Sequence, residues 1–305
     1  MPRVKPSRIT PDRFAAVIKA FLASEKFASL APNTQVNWRH KLRLAEIETG
    51  LGGLSIHEID SGYVQDFLDG LAQWPATQAA AKKALKAVEK WAVVRRRLPR
   101  PITFGTDIIG STGAREPWLD REVELAIANA SPELARAIQL VSYTGLRLGD
   151  VSRMRWGDLR VYRGRLGIDV DVEKTHIPMW APVLPELEPL LLGWERRGEH
   201  ILCKPNGEPW KRSQLSDAWG YERDSKPALE PLRARKLSFH GLRATAAIRL
   251  RRSGLSNALI GKMIGMSEAV VNLYCRRADQ ADDAITGLEH RERVVPLNIL
   301  TKQKG

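Results

Sequence analysis

The helical periodicity of this chain breaks most sharply at Leu98-Pro99-Arg100-Pro101, and that break constrains the fold more than any other feature. Proline lacks the amide hydrogen a helix needs and its ring clashes with the preceding turn, so two prolines within three residues end a helix. The glycine and serine content between Gly105 and Gly113 prolongs the interruption into a linker. A chain of 305 residues is long enough for two cores. The boundary is therefore placed between 98 and 116: a first domain over 1–100, a linker over 101–115, a second domain over 116–290 and a tail over 291–305.

Before the break, apolar residues recur at helical spacing through Phe14–Leu22, Trp38–Ile47, Tyr63–Leu71 and Thr77–Val94, punctuated by Gly50, Gly52, Gly53 and Pro75. This predicts a small all-helical domain of about four helices. After it, Asp120 reads as the cap of a helix through Val123–Ile127, and Ser131-Pro132 as a cap followed by proline in the first turn. Leu166 to Glu173 alternates apolar and acidic residues along most of its length, the clearest strand pattern in the chain. Val161 and Tyr162 with the turn Arg163-Gly164 suggest a strand before it, and Ile177, Pro178 and Trp180 one after it. Helical spacing returns through Leu187–Trp194, Ser213–Trp219, Leu242–Leu250, Asn257–Ile264 and Glu268–Cys275. The expected fold class is two-domain and mainly α, with an all-helical N-terminal domain and a mixed α/β domain holding a small antiparallel sheet.

Charge narrows the partners. The net charge is +13, and residues 1–100 hold 17 basic against 9 acidic residues. With a sequence pI near 10.0, a polyanion is favoured. Nucleic acid comes first, although basicity alone does not separate it from an anionic membrane surface. The basic start lacks a signal peptide's apolar stretch, and no run of 18 apolar residues occurs, so no membrane partner is expected. Cys203 and Cys275 are too few for a disulfide scaffold or a cysteine-rich zinc site, which points to a cytoplasmic protein. Lys82, Lys83, Lys86, Lys90 and the run Arg95-Arg96-Arg97 gather beside Trp91. They fit a phosphate-tracking, DNA-binding surface and a solvated helix face equally well.

Three local patterns carry chemistry: Thr144-Gly145-Leu146-Arg147-Leu148-Gly149-Asp150, Glu173-Lys174-Thr175-His176, and His240-Gly241-Leu242-Arg243 followed by Tyr274. Guanidinium groups clamp nonbridging phosphate oxygens and stabilise the charge of a pentacoordinate transition state. A tyrosine attacks phosphorus and stores the bond energy as an ester, while lysine and histidine move protons. Spacing alone leaves structural roles open: Arg147 pairing with Asp150, His240 capping a helix, Tyr274 packing in a core. For His176 a surface strand position is the better reading, and for Cys275 a packing role.

Together the patterns resemble those of the tyrosine recombinases, the phage integrase family. Thr144 to Asp150, with Val151, Met154, Trp156 and Asp158, is similar to the family's first-arginine box. His240-Gly241-Leu242-Arg243 resembles its histidine-x-x-arginine box, and Ser267-Glu268 through Tyr274 its nucleophile segment. The resemblance covers residues 116 to about 290, and the helical domain before it is similar to the family's core-binding (SAM-like) domain. It implies that Arg147 and Arg243 hold the scissile phosphate, Lys174 protonates the leaving 5′ oxygen, His240 manages the nucleophile's proton, and Tyr274 forms a 3′-phosphotyrosyl link. Asp150 reads as structural, orienting Arg147 or capping local backbone.

The same resemblance implies site-specific recombination on double-stranded DNA carrying a core site, by a homotetramer on two DNA sites. It implies no metal and no cofactor. One position departs from the pattern: the usual second histidine or tryptophan falls on Gly265 by spacing, or on Met266 by a shifted alignment. Neither side chain donates a hydrogen bond to phosphate. Losing one such donor costs about 3 kcal/mol, roughly a hundredfold in rate. Two further readings of the chain are a non-catalytic DNA-binding or architectural protein of the same fold, and a type IB topoisomerase-like enzyme.

Overall fold

The computed structural model describes residues 12–48, 50–110, 116–172 and 178–294. The chain divides into two compact units, Met1–Gly113 and Ala114–Gly305.

The first unit contains α1 (Phe14–Leu22), α2 (Glu25–Ala28), α3 (Pro32–Arg43), α4 (Ser61–Asp69) and α5 (Pro75–Val94). Its local signals are ordinary ones. The Ser24 hydroxyl accepts from the Phe27 amide at the start of α2, and the Asp60 carboxylate accepts from the Gly62 and Tyr63 amides at the start of α4. Pro75 occupies the first turn of α5. Phe14, Ile18, Phe21, Leu42, Leu85 and Val88 are all but fully buried in one core.

Two expectations change here. α3 starts at Pro32, six residues before the helical pattern becomes visible at Trp38, because most of its outer face is polar. Residues 101–110, expected as a linker, lie against the first unit instead. Ile102 is fully buried, and the Glu89 carboxylate accepts from the amides of Ile102 and Thr103 at 2.7 and 2.5 Å. Gln65 and Gln78 accept from the amides of Asp107 and Ile109.

The second unit opens with α6 (Asp120–Asn129), α7 (Pro132–Thr144) and α8 (Leu148–Arg153). Asp120 is the first residue of α6 rather than its cap, and Glu122 accepts from the Leu119 amide at 2.7 Å. A meander follows: β1 (Leu159–Tyr162), β2 (Arg165–Asp171) and β3 (Pro178–Pro182), antiparallel in the order β1-β2-β3. Leu159 pairs with Ile168, and Ile168 with Ala181. On β2, Ile168 and Val170 are buried while Asp169 and Asp171 face outward, as the alternation requires.

Then come α9 (Glu188–Gly193), α10 (Arg212–Ser225), α11 (Glu230–Ala234), α12 (Phe239–Arg252), α13 (Asn257–Ile264) and α14 (Glu268–Val294). The main core gathers Trp118, Leu140, Val141, Val151, Ile168, Trp219 and Leu242. A second cluster of Ala247, Leu250, Ile260, Ile264, Val271 and Cys275 joins α12, α13 and α14. α14 runs past the expected domain end at 290; residues 295–305, most of the expected tail, lie outside the described residues. Among the described residues, no helix is long and apolar enough to cross a membrane.

Candidate active site

Arg147 enters the site from the turn between α7 and α8. Gly145 ends α7 in the left-handed region at φ +64°, where glycine carries no steric penalty. The lack of a side chain matters as much as the angle. A Cβ on Gly145 would lie 2.8 Å from Cγ2 of Ile264 and 3.2 Å from Cβ of Ala246, so only glycine lets α7 end against both α12 and α13. Leu146 is buried, and Arg147 becomes the residue that opens α8, its side chain one-third exposed. The Asp150 carboxylate, buried one turn on, lies 3.9 Å from Nη1 of Arg147 and accepts from Nη2 of Arg153 at 2.8 Å.

His240 and Arg243 share the first turn of α12, which Trp118 fixes in place. Its amide donates to the Thr245 hydroxyl at 2.8 Å, the hydroxyl donates back to its carbonyl at 2.9 Å, and its indole donates to the Ser238 carbonyl at 3.0 Å. At Gly241 a Cβ would sit 2.4 Å from the Glu116 carbonyl oxygen and 2.8 Å from the Trp118 ring. The glycine between His240 and Arg243 is thus what lets this strap close. Neither Trp118 nor Thr245 stood out in the sequence; the only signal for Thr245 is a hydroxyl on an otherwise apolar helix face.

Arg243 is 4% exposed, and its Nη1 meets no acceptor among the described residues. Burial pushes its pKa down to about 10. The nearby Arg147 cation adds to that, while Tyr274 and Asp150 oppose it. Two guanidinium groups beside one another, one buried with unspent hydrogen-bonding capacity, describe a site built for an oxyanion.

Tyr274 reaches the same place from α14. Val271 and Cys275, four residues apart, are fully buried in the α12–α14 cluster, and Tyr274 stands at the flank of that buried stripe. Its hydroxyl lies 3.2 Å from Nε2 of His240. Burial, with Asp279 nearby, pushes the adjacent Cys275 thiol up to about 11, so it stays protonated and packs as an apolar group.

The structure therefore brings Arg147, Asp150, His240, Arg243 and Tyr274 into one neighbourhood. Lys174 and His176 lie outside the described residues. Gly265, at φ +62°, ends α13, and Met266 packs partly buried against the α12–α14 cluster. A Cβ on Gly265 would lie 3.0 Å from Sδ of Met179 on β3. Among the described residues no group of three or more metal-ligating side chains occurs. In the first unit, Lys83, Lys86 and Lys90 are exposed on α5, whereas Lys82 donates to the Thr106 carbonyl at 2.6 Å. The guanidinium groups of Arg95 and Arg97 lie over the Trp91 ring at 5.1 and 5.6 Å, and Arg96 is exposed.

The chain matches the model of the phage integrase family over residues 118–281. Its fold is similar to that of a lambda integrase fragment, residues 75–356, solved as a dimer bound to a COC′ core site. The identity is 18% and the TM-score 0.71, covering 85% of this chain and 97% of that one. It is also similar to lambda integrase solved as a tetramer on a Holliday junction, with 19% identity, a TM-score of 0.69, and 88% and 78% coverage. The Tn1549 transposon integrase in complex with circular intermediate DNA gives 15% identity, a TM-score of 0.68, and 88% and 99% coverage. At such identities the likeness is one of fold. Among curated proteins no significant sequence match was found.

Proposed function

The chain belongs to the phage integrase family, and from that premise we propose that it is a site-specific tyrosine recombinase, cutting and rejoining duplex DNA through a 3′-phosphotyrosyl intermediate. The observation that carries this reading is the Tyr274 hydroxyl 3.2 Å from Nε2 of His240, beside a buried Arg243 whose Nη1 meets no acceptor among the described residues. A nucleophile, a base and an oxyanion site stand within reach of one phosphate.

In this reading Arg147 and Arg243 grip the nonbridging oxygens of the scissile phosphate and stabilise the charge that builds on them. The Tyr274 oxygen attacks phosphorus as its proton passes to His240. The bond to the 5′ oxygen breaks, and Lys174 supplies the proton to that leaving group. Attack by a 5′ hydroxyl of the partner strand reverses these steps and releases Tyr274. Each step exchanges one phosphodiester for another, so bond energy is conserved and no nucleotide cofactor is consumed. Asp150 holds Arg147 at the phosphate. Lys83, Lys86 and Lys90 contact the DNA backbone. The lambda relatives were solved as a dimer on a core site and a tetramer on a Holliday junction, which supports a homotetramer on two DNA sites here. The working compartment is the cytoplasm.

The test is a suicide-substrate assay on duplex DNA from the gene's own flanks, with chelator present, resolved on a denaturing gel. A covalent protein–DNA band, absent in Tyr274→Phe, is expected. Specific binding without any band would overturn the catalytic reading in favour of a DNA-binding protein of the same fold. Relaxation of supercoils with no requirement for paired sites would point to a topoisomerase.

A further inference from the structure

The first unit holds a cavity that its own core leaves unfilled. About 240 Å³ of space opens to the surface where the end of α1, α2, α3 and the last turns of α5 converge. Its floor is aromatic and rigid: Phe21 and Trp91 are buried and packed edge to face, with ring centroids 5.6 Å apart. Trp38 and Ala87, both partly exposed, wall it in. Around the mouth Lys26, Lys90 and Arg95 are exposed, and Val94 leaves 75% of its surface open there. We infer that this cavity is a docking site for an acidic segment of a partner protein. One large apolar side chain of that segment seats between Phe21, Trp38 and Trp91, and its neighbouring carboxylates meet Lys26, Lys90 and Arg95.

Size, charge and spacing commit the cavity to that occupant. Pockets that enclose a whole small-molecule ligand run to about 300–1,000 Å³, so this one suits a single side chain. An apolar anchor in an aromatic pocket with a polar rim is how protein interfaces concentrate their binding energy. Among the described residues none of the rim cations is paired with an acid; Arg95 is held in place by its guanidinium over the Trp91 ring at 5.1 Å. The acids adjoining them in sequence are Glu25, exposed on α2, and Glu89, which is taken up by the Ile102 and Thr103 amides. Lys90 and Arg95, five residues apart, are separated by about 7.5 Å along the helix axis, and Lys26 lies on another helix. One carboxylate cannot meet all of them, whereas a segment with several can. The ends of this chain do not suit the rim, because residues 1–11 and 295–305 carry basic side chains and no acid. On α14, Ile285 and Leu288 are exposed near Asp282, but that acid is already paired with Arg252 at 3.1 Å. Duplex DNA offers phosphates to the rim but keeps its bases stacked, so it leaves the cavity empty.

The experiment selects phage-displayed random peptides on the full-length chain and measures the enriched ones, made synthetically, by fluorescence polarisation. They should converge on one tryptophan, phenylalanine or leucine flanked by acids. Ala87→Trp fills the cavity from a partly exposed helix position and should weaken such a peptide by about tenfold or more, as should alanine in place of the peptide's anchor. Lys26→Glu should weaken it by about threefold or more and flatten its dependence on salt. Lys90 also belongs to the row proposed to meet the DNA backbone, and it is left unaltered. Thermal unfolding of both variants should match that of the wild type; if Ala87→Trp does not fold, the anchor substitution and Lys26→Glu decide the matter. No enrichment, enriched peptides without acids, or equal affinity for wild type and Ala87→Trp would overturn the inference. So would a single-stranded oligonucleotide whose binding is lost in Ala87→Trp, which would make a DNA base the occupant. Self-association of the chain lost in that variant would overturn it too, in favour of a second copy.

Discussion

The Tyr274 hydroxyl lies 3.2 Å from Nε2 of His240, although each is held by contacts that do not involve the other. Tyr274 is placed by the burial of Val271 and Cys275 against Leu250, Ile260 and Ile264. His240 is placed by the hydrogen bonds of Trp118 to Thr245 and Ser238, which fix the first turn of α12. Tyr274 and His240, the proposed nucleophile and base, therefore meet only when two separate packing arrangements are both correct, which ties their contact to the integrity of the second unit.

His240→Ala is expected to slow formation of the covalent adduct by about a hundredfold to ten-thousandfold, the usual worth of a positioned proton acceptor. Duplex affinity should stay unchanged, since Arg147 and Arg243 remain. Single-turnover cleavage and equilibrium binding, measured on the same duplex, separate the two effects. Equal losses in both would mean that His240 serves binding.

Arg243 should trade stability for activity. Its cation is buried and pressed by Arg147, and these hold its pKa near 10 in the folded protein, well below that of a free guanidinium. A cation whose folded pKa is lowered destabilises the fold while charged, and that penalty fades as pH rises through about 10. Arg243→Met is therefore expected to raise the Tm of the second unit by about 2–4 °C for each kcal/mol gained, and to cut the cleavage rate by about a hundredfold or more. The Tm advantage should be full at neutral pH and shrink in alkaline buffer. Calorimetry against pH checks the sign; a lower Tm for the variant at pH 7 would contradict it.

Trp118 shows where sequence reading stops. Strands and amphipathic helices announce themselves within a few residues: Ile168, Asp169, Val170 and Asp171 alternate, and Leu134, Ile138 and Val141 recur each turn. The residues proposed to react stood out for another reason, since Arg147, His240, Arg243 and Tyr274 fall in recognisable local patterns. The strap that positions His240 and Arg243 joins residues 120 and 127 apart, and no local period records such a contact. α3 was half hidden because its outer face is mostly polar. The packing of 101–110 is not visible in the sequence because two buried residues, Ile102 and Thr103, and the amide contacts of Glu89 leave no pattern.

Thr245→Val keeps the volume of the side chain and removes both hydrogen bonds to Trp118, leaving a buried amide and carbonyl of that residue short of a partner. The expected loss is about 1–3 kcal/mol of stability. Thr245→Ser retains the hydroxyl and should recover most of it. Urea unfolding of the three proteins reads the difference. Because the strap fixes α12, cleavage by Thr245→Val should also fall below that of Thr245→Ser at temperatures where both are folded.

Gly265 and Met266 differ in what they tolerate, and that difference gives the proposed absence of a phosphate donor at this position a direct test. Gly265 ends α13 at φ +62°, and a Cβ there would press to 3.0 Å on Sδ of Met179. A side chain at 265 is thus strained in backbone and crowded in space. Met266 already has a partly buried side chain, with its amide bonded to the Gly261 carbonyl at 2.9 Å. Met266→His is therefore expected to fold and to raise the cleavage rate by about tenfold to a hundredfold, by restoring one hydrogen bond to the transition state. Gly265→His is expected to lower stability with no gain in rate. Single-turnover adduct formation beside thermal unfolding distinguishes them, and a faster Gly265→His with an unchanged Met266→His would assign the position to residue 265.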